Sequence, residues 1–183
     1  MTVQVGANRP FFLQGTNSPE VIAHRGGAGE WPEETLYAFE QAIKLGVDII
    51  ELDIHRTVDG ELVLMHNDTV DETTEGTGRI KDLTLAEIKK LHPTARWPAD
   101  EKYRDITIPT LQEVFEAFPN MRMNIEIKQK EPSLVTQFCN MIEKYKMTDK
   151  VLVASGWNNV LHEFRRQSPN VATSASVLEV AEF

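Results

Sequence analysis

Asp48-Ile49-Ile50-Glu51-Leu52-Asp53-Ile54 is the stretch that decides the fold. Its isoleucines and leucine give it the apolar density of a strand buried on both faces, the kind found in parallel sheets covered by helices. Successive side chains of a strand point to opposite faces, so Glu51 and Asp53 share one face and Ile50, Leu52 and Ile54 share the other. Two carboxylates about 7 Å apart along a strand can hold one hard cation through oxygen ligands. Bridging of the same pair by Arg25 or Lys128 is the alternative use of these residues.

Outward from this stretch, strands and helices alternate. Residues 21–24 read as a first strand that runs into His24-Arg25-Gly26-Gly27. Residues 62–66 read as a third strand ending in His66, with Asp59-Gly60 as the turn before it. Residues 123–128 form a fourth, on which Asn124, Glu126 and Lys128 share a face opposite Ile125 and Ile127. Residues 151–155 and 171–177 complete six strands. Helices are predicted over 32–45, where Pro32 suits the start and Gly46 the stop, and over 133–146 and 158–167. Thr84 with Glu87, and Thr110 with Glu113, are capping boxes that open two more. This alternation implies an α/β fold with a parallel sheet. Two long connections, 67–83 and 92–108, interrupt the rhythm, and long loops after strands are where α/β barrels carry function. A closed eight-stranded barrel has about 250 residues. Six strands in 183 residues, ending at the start of a helix over 178–183, fit either an open sheet or a barrel truncated after its sixth strand, two strand–helix units short.

Composition narrows the function classes. The net charge is −9 and the pI about 5.1, so a nucleic-acid-binding stripe is not expected. A phosphate substrate remains compatible, because local charge in a cleft can oppose the global charge. No run approaches the length of a membrane span, and no secretory leader is legible, so a cytoplasmic location is expected. The single cysteine, Cys139, reads as helix packing. Residues 1–20 read as an irregular lead-in, in which Phe11, Phe12 and Leu13 can cover the base of a core. Residues 21–183 form one domain.

His24 and His66 end apolar strands beside carboxylates, where two imidazoles can serve as base and acid. Arg25 offers a planar fork to a phosphoryl group, or a salt bridge to Glu51 or Glu126. Glu126 and Lys128 read either as a third ligand with a phosphate-binding cation or as an internal pair. His55, although in phase with Glu51 and Asp53, is expected at a strand end facing solvent. His92 and His162 are expected at the surface, Trp31 at the cleft mouth or in aromatic packing, and Asp68, Asp71, Glu72 and Glu75 on a solvated loop.

These elements together resemble the glycerophosphodiester phosphodiesterases, within the PLC-like phosphodiesterase superfamily. The likeness runs through His24-Arg25-Gly26-Gly27, Pro32-Glu33-Glu34-Thr35, Gly46-Val47-Asp48, Glu51-Leu52-Asp53, Asp59-Gly60, His66, Thr73-Thr74 with Gly76 and Gly78, Ile108-Pro109-Thr110-Leu111 and Asn124-Ile125-Glu126-Ile127-Lys128. The resemblance implies a TIM-like (β/α) barrel with its site at the C-terminal strand ends. It implies Glu51, Asp53 and Glu126 as ligands of a divalent cation, Ca2+ or Mg2+, His24 and His66 as the acid/base pair, and Arg25 and Lys128 as phosphate contacts; of the two histidines, His24 is read here as the base and His66 as the acid. The implied reaction converts a small-molecule glycerophosphodiester to glycerol 3-phosphate and an alcohol. The glycerol 2-hydroxyl attacks phosphorus, and water then opens the cyclic phosphate. Three positions depart from the family: Glu34 replaces an Asn, Asn67 replaces the Asp after the second histidine, and Glu72 replaces an Arg. An inactive phosphodiester-binding or interaction domain, and a related (lyso)phospholipase, are the alternative functions. A homo-oligomer is compatible with an incomplete barrel.

Overall fold

The computed structural model describes residues 19–181. Residues 1–18, which include Phe11, Phe12 and Leu13 and most of the expected lead-in, lie outside them. The elements in chain order are β1 (Ile22–Ala23), α1 (Leu36–Lys44), β2 (Ile49–Arg56), β3 (Leu62–Leu64), α2 (Leu85–Ile88), α3 (Leu111–Ala117), β4 (Arg122–Ile127), α4 (Val135–Lys144), β5 (Val151–Ala154), α5 (Asn158–Gln167), β6 (Ala172–Thr173) and α6 (Val177–Ala181). The sheet order is β1-β2-β4-β5-β6, all parallel, with β3 attached to β2.

β3 corrects the sequence reading. It runs antiparallel to β2, pairing Ile54 with Leu64 and Arg56 with Leu62. Asp59-Gly60, with Gly60 at φ +96°, reverses the chain within a few residues, which a parallel crossover cannot do. Among the described residues the barrel-type strands are therefore five, forming an open arc of a (β/α) barrel. β3 is a hairpin arm that lengthens β2 at its C-terminal end. His66 lies two residues past this arm rather than on a strand.

Two further boundaries move for local reasons. The first helix begins at Leu36, not residue 32, because Glu34 has a φ of +59° and Thr35 is the N-cap, accepting a hydrogen bond from the Ala38 N–H. The last strand shrinks to Ala172–Thr173. Both predicted capping boxes close, and α5 spans the predicted 158–167.

The outer face of the sheet carries the main core. Ile50, Leu52, Ile54, Ile125, Ile127 and Val153 pack against Phe39, Phe115, Phe138 and Phe164 from the helices, all fully buried. The long connection after β3 has its own small core, with Val63, Met65, Val70, Ile80, Ile88 and Ile108, and is pinned by a Thr69–Arg79 bridge. The inner face has only a narrow apolar floor of Ile49, Leu152 and Ala172. Everything above that floor on β2 and β4 is polar.

Candidate active site

Alternation along β2 and β4 places Glu51 beside Asn124 and Asp53 beside Glu126 in the parallel register. Glu51, Asp53 and Glu126 each present a carboxylate oxygen within 4.8 Å of the others. Asp53 is 1% exposed, and neither of its carboxylate oxygens has a hydrogen-bond partner. A buried carboxylate without donors is costly. This donor set, all oxygen and no thiolate, fits a hard divalent cation.

Both cations foreseen as salt-bridge partners are here. Lys128 Nζ is 3.7 Å from Asp53 and 3.4 Å from Glu126. Arg25 Nε is 3.8 Å from Asp53, and its Nη1 reaches Glu33 at 3.3 Å. The Arg25 backbone N–H, not its side chain, donates to Glu51, at 2.8 Å. Pairing does not balance the site. Glu34 joins the same cluster, with its Oε1 accepting from the Asp53 N–H at 3.1 Å and its Oε2 buried without a partner. With Glu33 also drawn to Arg25, the carboxylates of this cluster outnumber its two cations, and a bound divalent cation would offset part of that excess. Burial first, then the neighbouring Glu51, raises the Asp53 carboxyl to about 7. Burial, then Asp53 and Glu51, pushes Glu34 well above the ordinary carboxylate range.

The turn after β1 holds this arrangement by unusual backbone. Arg25, Gly26 and Gly27 all have positive φ, +51°, +76° and +97°. For Gly26 the requirement is absolute, since a Cβ there would lie 2.7 Å from Cδ1 of the buried Phe39. Gly26→Ala is expected to cost about 2–5 kcal/mol, combining left-handed strain with overpacking, read as a lower denaturation midpoint in urea. Trp31 closes over Gly27 at 3.0 Å from the position of a Cβ, so it packs on this turn.

His24 begins the same turn, with its side chain 69% exposed and Nε2 3.9 Å from Glu51 Oε2. His66 is half-buried, and its Nδ1 lies 2.7 Å from Asn67 Oδ1. In that bond Nδ1–H donates to the Asn67 amide oxygen, which leaves Nε2 for substrate. An amide thus orients this ring. His55 was missed. It is 3% exposed, not solvent-facing, because it continues the inward phase of Glu51 and Asp53. Burial lowers its pKa to about 4, so the ring is neutral. His92 and His162 are exposed, next to Glu75 and Glu179, and the acids of the 67–83 connection are exposed as foreseen. Glu72 pairs with Arg96 at 2.5 Å. Among the described residues no helix is long and apolar enough to cross a membrane. A hollow of about 590 Å³ lined by residues 92–104 touches none of Glu51, Asp53 and Glu126. A smaller one, of about 240 Å³, opens beside Lys128 and His55.

Comparison with known proteins gives one answer. The sequence profile of the Glycerophosphoryl diester phosphodiesterase family matches residues 24–176. A glycerophosphodiester phosphodiesterase of Caldanaerobacter subterraneus is 40% identical over 156 residues, covering 82% of this chain and 63% of that protein. A human lysophospholipase D is 36% identical over 146 residues, covering 78% of this chain and 45% of its own length. The structure of an Oleispira antarctica phosphodiesterase, solved in complex with the product sn-glycerol-3-phosphate, superposes with a TM-score of 0.78 at 31% identity. It covers 85% of this chain and 64% of that one. The chain thus spans roughly half to two thirds of the curated relatives it matches.

Proposed function

The chain belongs to the glycerophosphoryl diester phosphodiesterase family, and from that premise we propose that its site hydrolyses glycerophosphodiesters to sn-glycerol 3-phosphate and an alcohol. The observation that carries this reading is the unbalanced cluster of Glu51, Asp53 and Glu126, with Asp53 buried and lacking any donor. Glu51, Asp53 and Glu126 would hold Ca2+ or Mg2+. When bound, the cation supplies Lewis acidity and offsets the charge that builds on the phosphoryl oxygens.

The remaining roles belong to the chain itself. Lys128 and Arg25, already turned toward Asp53, are the phosphate contacts, one a point charge and one a fork. His24, the more exposed imidazole, takes the proton of the glycerol 2-hydroxyl as its oxygen attacks phosphorus. The bond from phosphorus to the alcohol oxygen breaks, and His66 Nε2 hands that oxygen a proton while Asn67 holds Nδ1. Water then opens the cyclic phosphate with the two histidines exchanging roles. The experiment is hydrolysis of glycerophosphocholine and glycerophosphoethanolamine with Ca2+ or Mg2+, with the chelated protein as control. No turnover with either cation, in a protein that binds one, favours a phosphodiester-binding domain instead.

Metal binding has its own signature in pH. Asp53 ionises near 3.8 when unfolded and at about 7 in the fold, so the fold is penalised by its charge progressively from pH 4 to 7 and fully above 7. A cation favours the charged form and lifts that penalty. Added Ca2+ or Mg2+ is therefore expected to raise Tm more at pH 8 than at pH 5, and to release protons on binding near pH 7. Thermal scans, and calorimetry in buffers of different ionisation enthalpy, read both; equal Tm shifts at the two pH values would contradict the ligand assignment.

A further inference from the structure

The 240 Å³ cavity beside the carboxylates has a charge opposite to that of the molecule. Arg79, Lys81, Lys128 and Lys130 line it, against Asp68 and Glu131, in a chain of net charge −9. Arg79, Lys81 and Lys130 form no ion pair among the described residues, whereas Lys128 reaches back to Asp53 and Glu126. The cavity and the carboxylate cluster thus share Lys128 as a wall. His55 is also shared. It sits two residues past Asp53 on the same face of β2, lines the cavity, and its buried Nε2 has no hydrogen-bond partner. Trp157, at the N-cap of α5 and 49% exposed, forms the far side.

These features sort ligands by chemistry. His55 lies one strand-residue pair, about 7 Å, beyond Asp53 on β2, and it lines the same cavity as Lys128. A quaternary ammonium there would meet four resident cations. It would also find the aromatic wall in use, because Lys130 Nζ already lies 5.4 Å from the Trp157 ring centroid. A hydroxyl-rich group with a negative charge would meet ammonium and guanidinium groups that form no ion pair among the described residues, and could lay its C–H face on the indole.

We propose that this cavity is the subsite for the alcohol of the diester, and that the alcohol it takes is an anionic polyol, a hydroxyl-rich group carrying its own phosphate, in preference to choline. The inference rests on the phosphodiesterase reading for the identity of the ester, but not for the occupancy of the cavity. Two measurements separate these.

The first is turnover. kcat/KM at 50 mM salt with Mg2+ or Ca2+ is compared for glycerophosphoinositol 4-phosphate, glycerophosphoinositol and glycerophosphocholine. The phosphorylated inositol ester is expected to lead choline at least tenfold. The lead should fall toward unity in a Lys81→Glu, Lys130→Glu double variant, and shrink at 0.5 M salt. Equal rates, a choline preference, or a lead untouched by the double variant overturns the proposal. The second needs no turnover. The indole N–H resonance of Trp157, assigned with Trp157→Phe, is followed while myo-inositol 4-phosphate or phosphocholine is added to the full chain. A shift with the inositol phosphate and none with phosphocholine is expected. No shift with the inositol phosphate overturns the subsite even if diesters are hydrolysed. A shift without hydrolysis of any ester upholds the subsite and removes the reaction instead.

Discussion

Asp53→Asn is expected to make the metal-free protein more stable while lowering hydrolysis about 1,000-fold or more. The side chain is nearly isosteric, so the change is one of charge. In the metal-free fold that charge sits 1% exposed, without a donor, beside Glu51, Glu126 and Glu34. Lys128 and Arg25 offset it only in part, since the carboxyl remains raised to about 7. Raising this carboxyl from 3.8 to about 7 corresponds to roughly 4 kcal/mol at most. A gain of about 2–4 kcal/mol at pH 8, vanishing near pH 4, is therefore expected in urea denaturation. The stabilisation by Ca2+ or Mg2+ should disappear in the same variant. The opposite sign would identify a structural ion pair, because removing one partner of a buried pair costs about 3–5 kcal/mol. The variant thus tells a binding site from a salt bridge without an assay of activity.

The second large effect concerns the histidines. His24→Ala and His66→Ala are each expected to lower kcat about 100- to 10,000-fold and to leave the metal-induced Tm shift in place. The leaving group separates their roles. An alkyl alcohol must be protonated as it departs, and p-nitrophenol need not be. His66→Ala should therefore lose most of its activity on glycerophosphoethanolamine but no more than about tenfold on a p-nitrophenyl glycerophosphodiester. His24→Ala should lose equally on both, because the attacking hydroxyl is unchanged. Rescue of His24→Ala by the better leaving group, with none for His66→Ala, would exchange the two assignments. Asn67 enters here as well. Its Oδ1 accepts from Nδ1 of His66 at 2.7 Å, fixing the ring without adding a charge behind it.

The inward face of β2 was legible because strand alternation is a backbone property that no tertiary contact alters. Glu51, Asp53, Asn124, Glu126 and Lys128 needed only their spacing. The two capping boxes were legible for a similar reason, since each is closed by residues three apart. The misses were non-local or conformational. Strand spacing alone predicts β3 as a parallel strand, whereas Asp59-Gly60 is a hairpin signal, and the turn chemistry decides the direction. A β2 ending at residue 54 would leave His55 facing solvent, whereas the β3 arm carries pairing on to Arg56 and buries what it covers. Glu34 was noted only as a departure from the family. Its left-handed backbone, which turns its carboxylate onto the Asp53 N–H, has no signature in a Glu-Thr sequence.

β2 is hydrogen-bonded to β1, β3 and β4 at once, and it carries two of the three clustered carboxylates. Each contributing segment is therefore located against one common datum instead of against the previous segment, and placement errors do not accumulate around the site. A machinist would call this a short tolerance chain. A change in a loop, a helix or a distant strand then reaches the reactive groups only through β2, to which their segments are already tied.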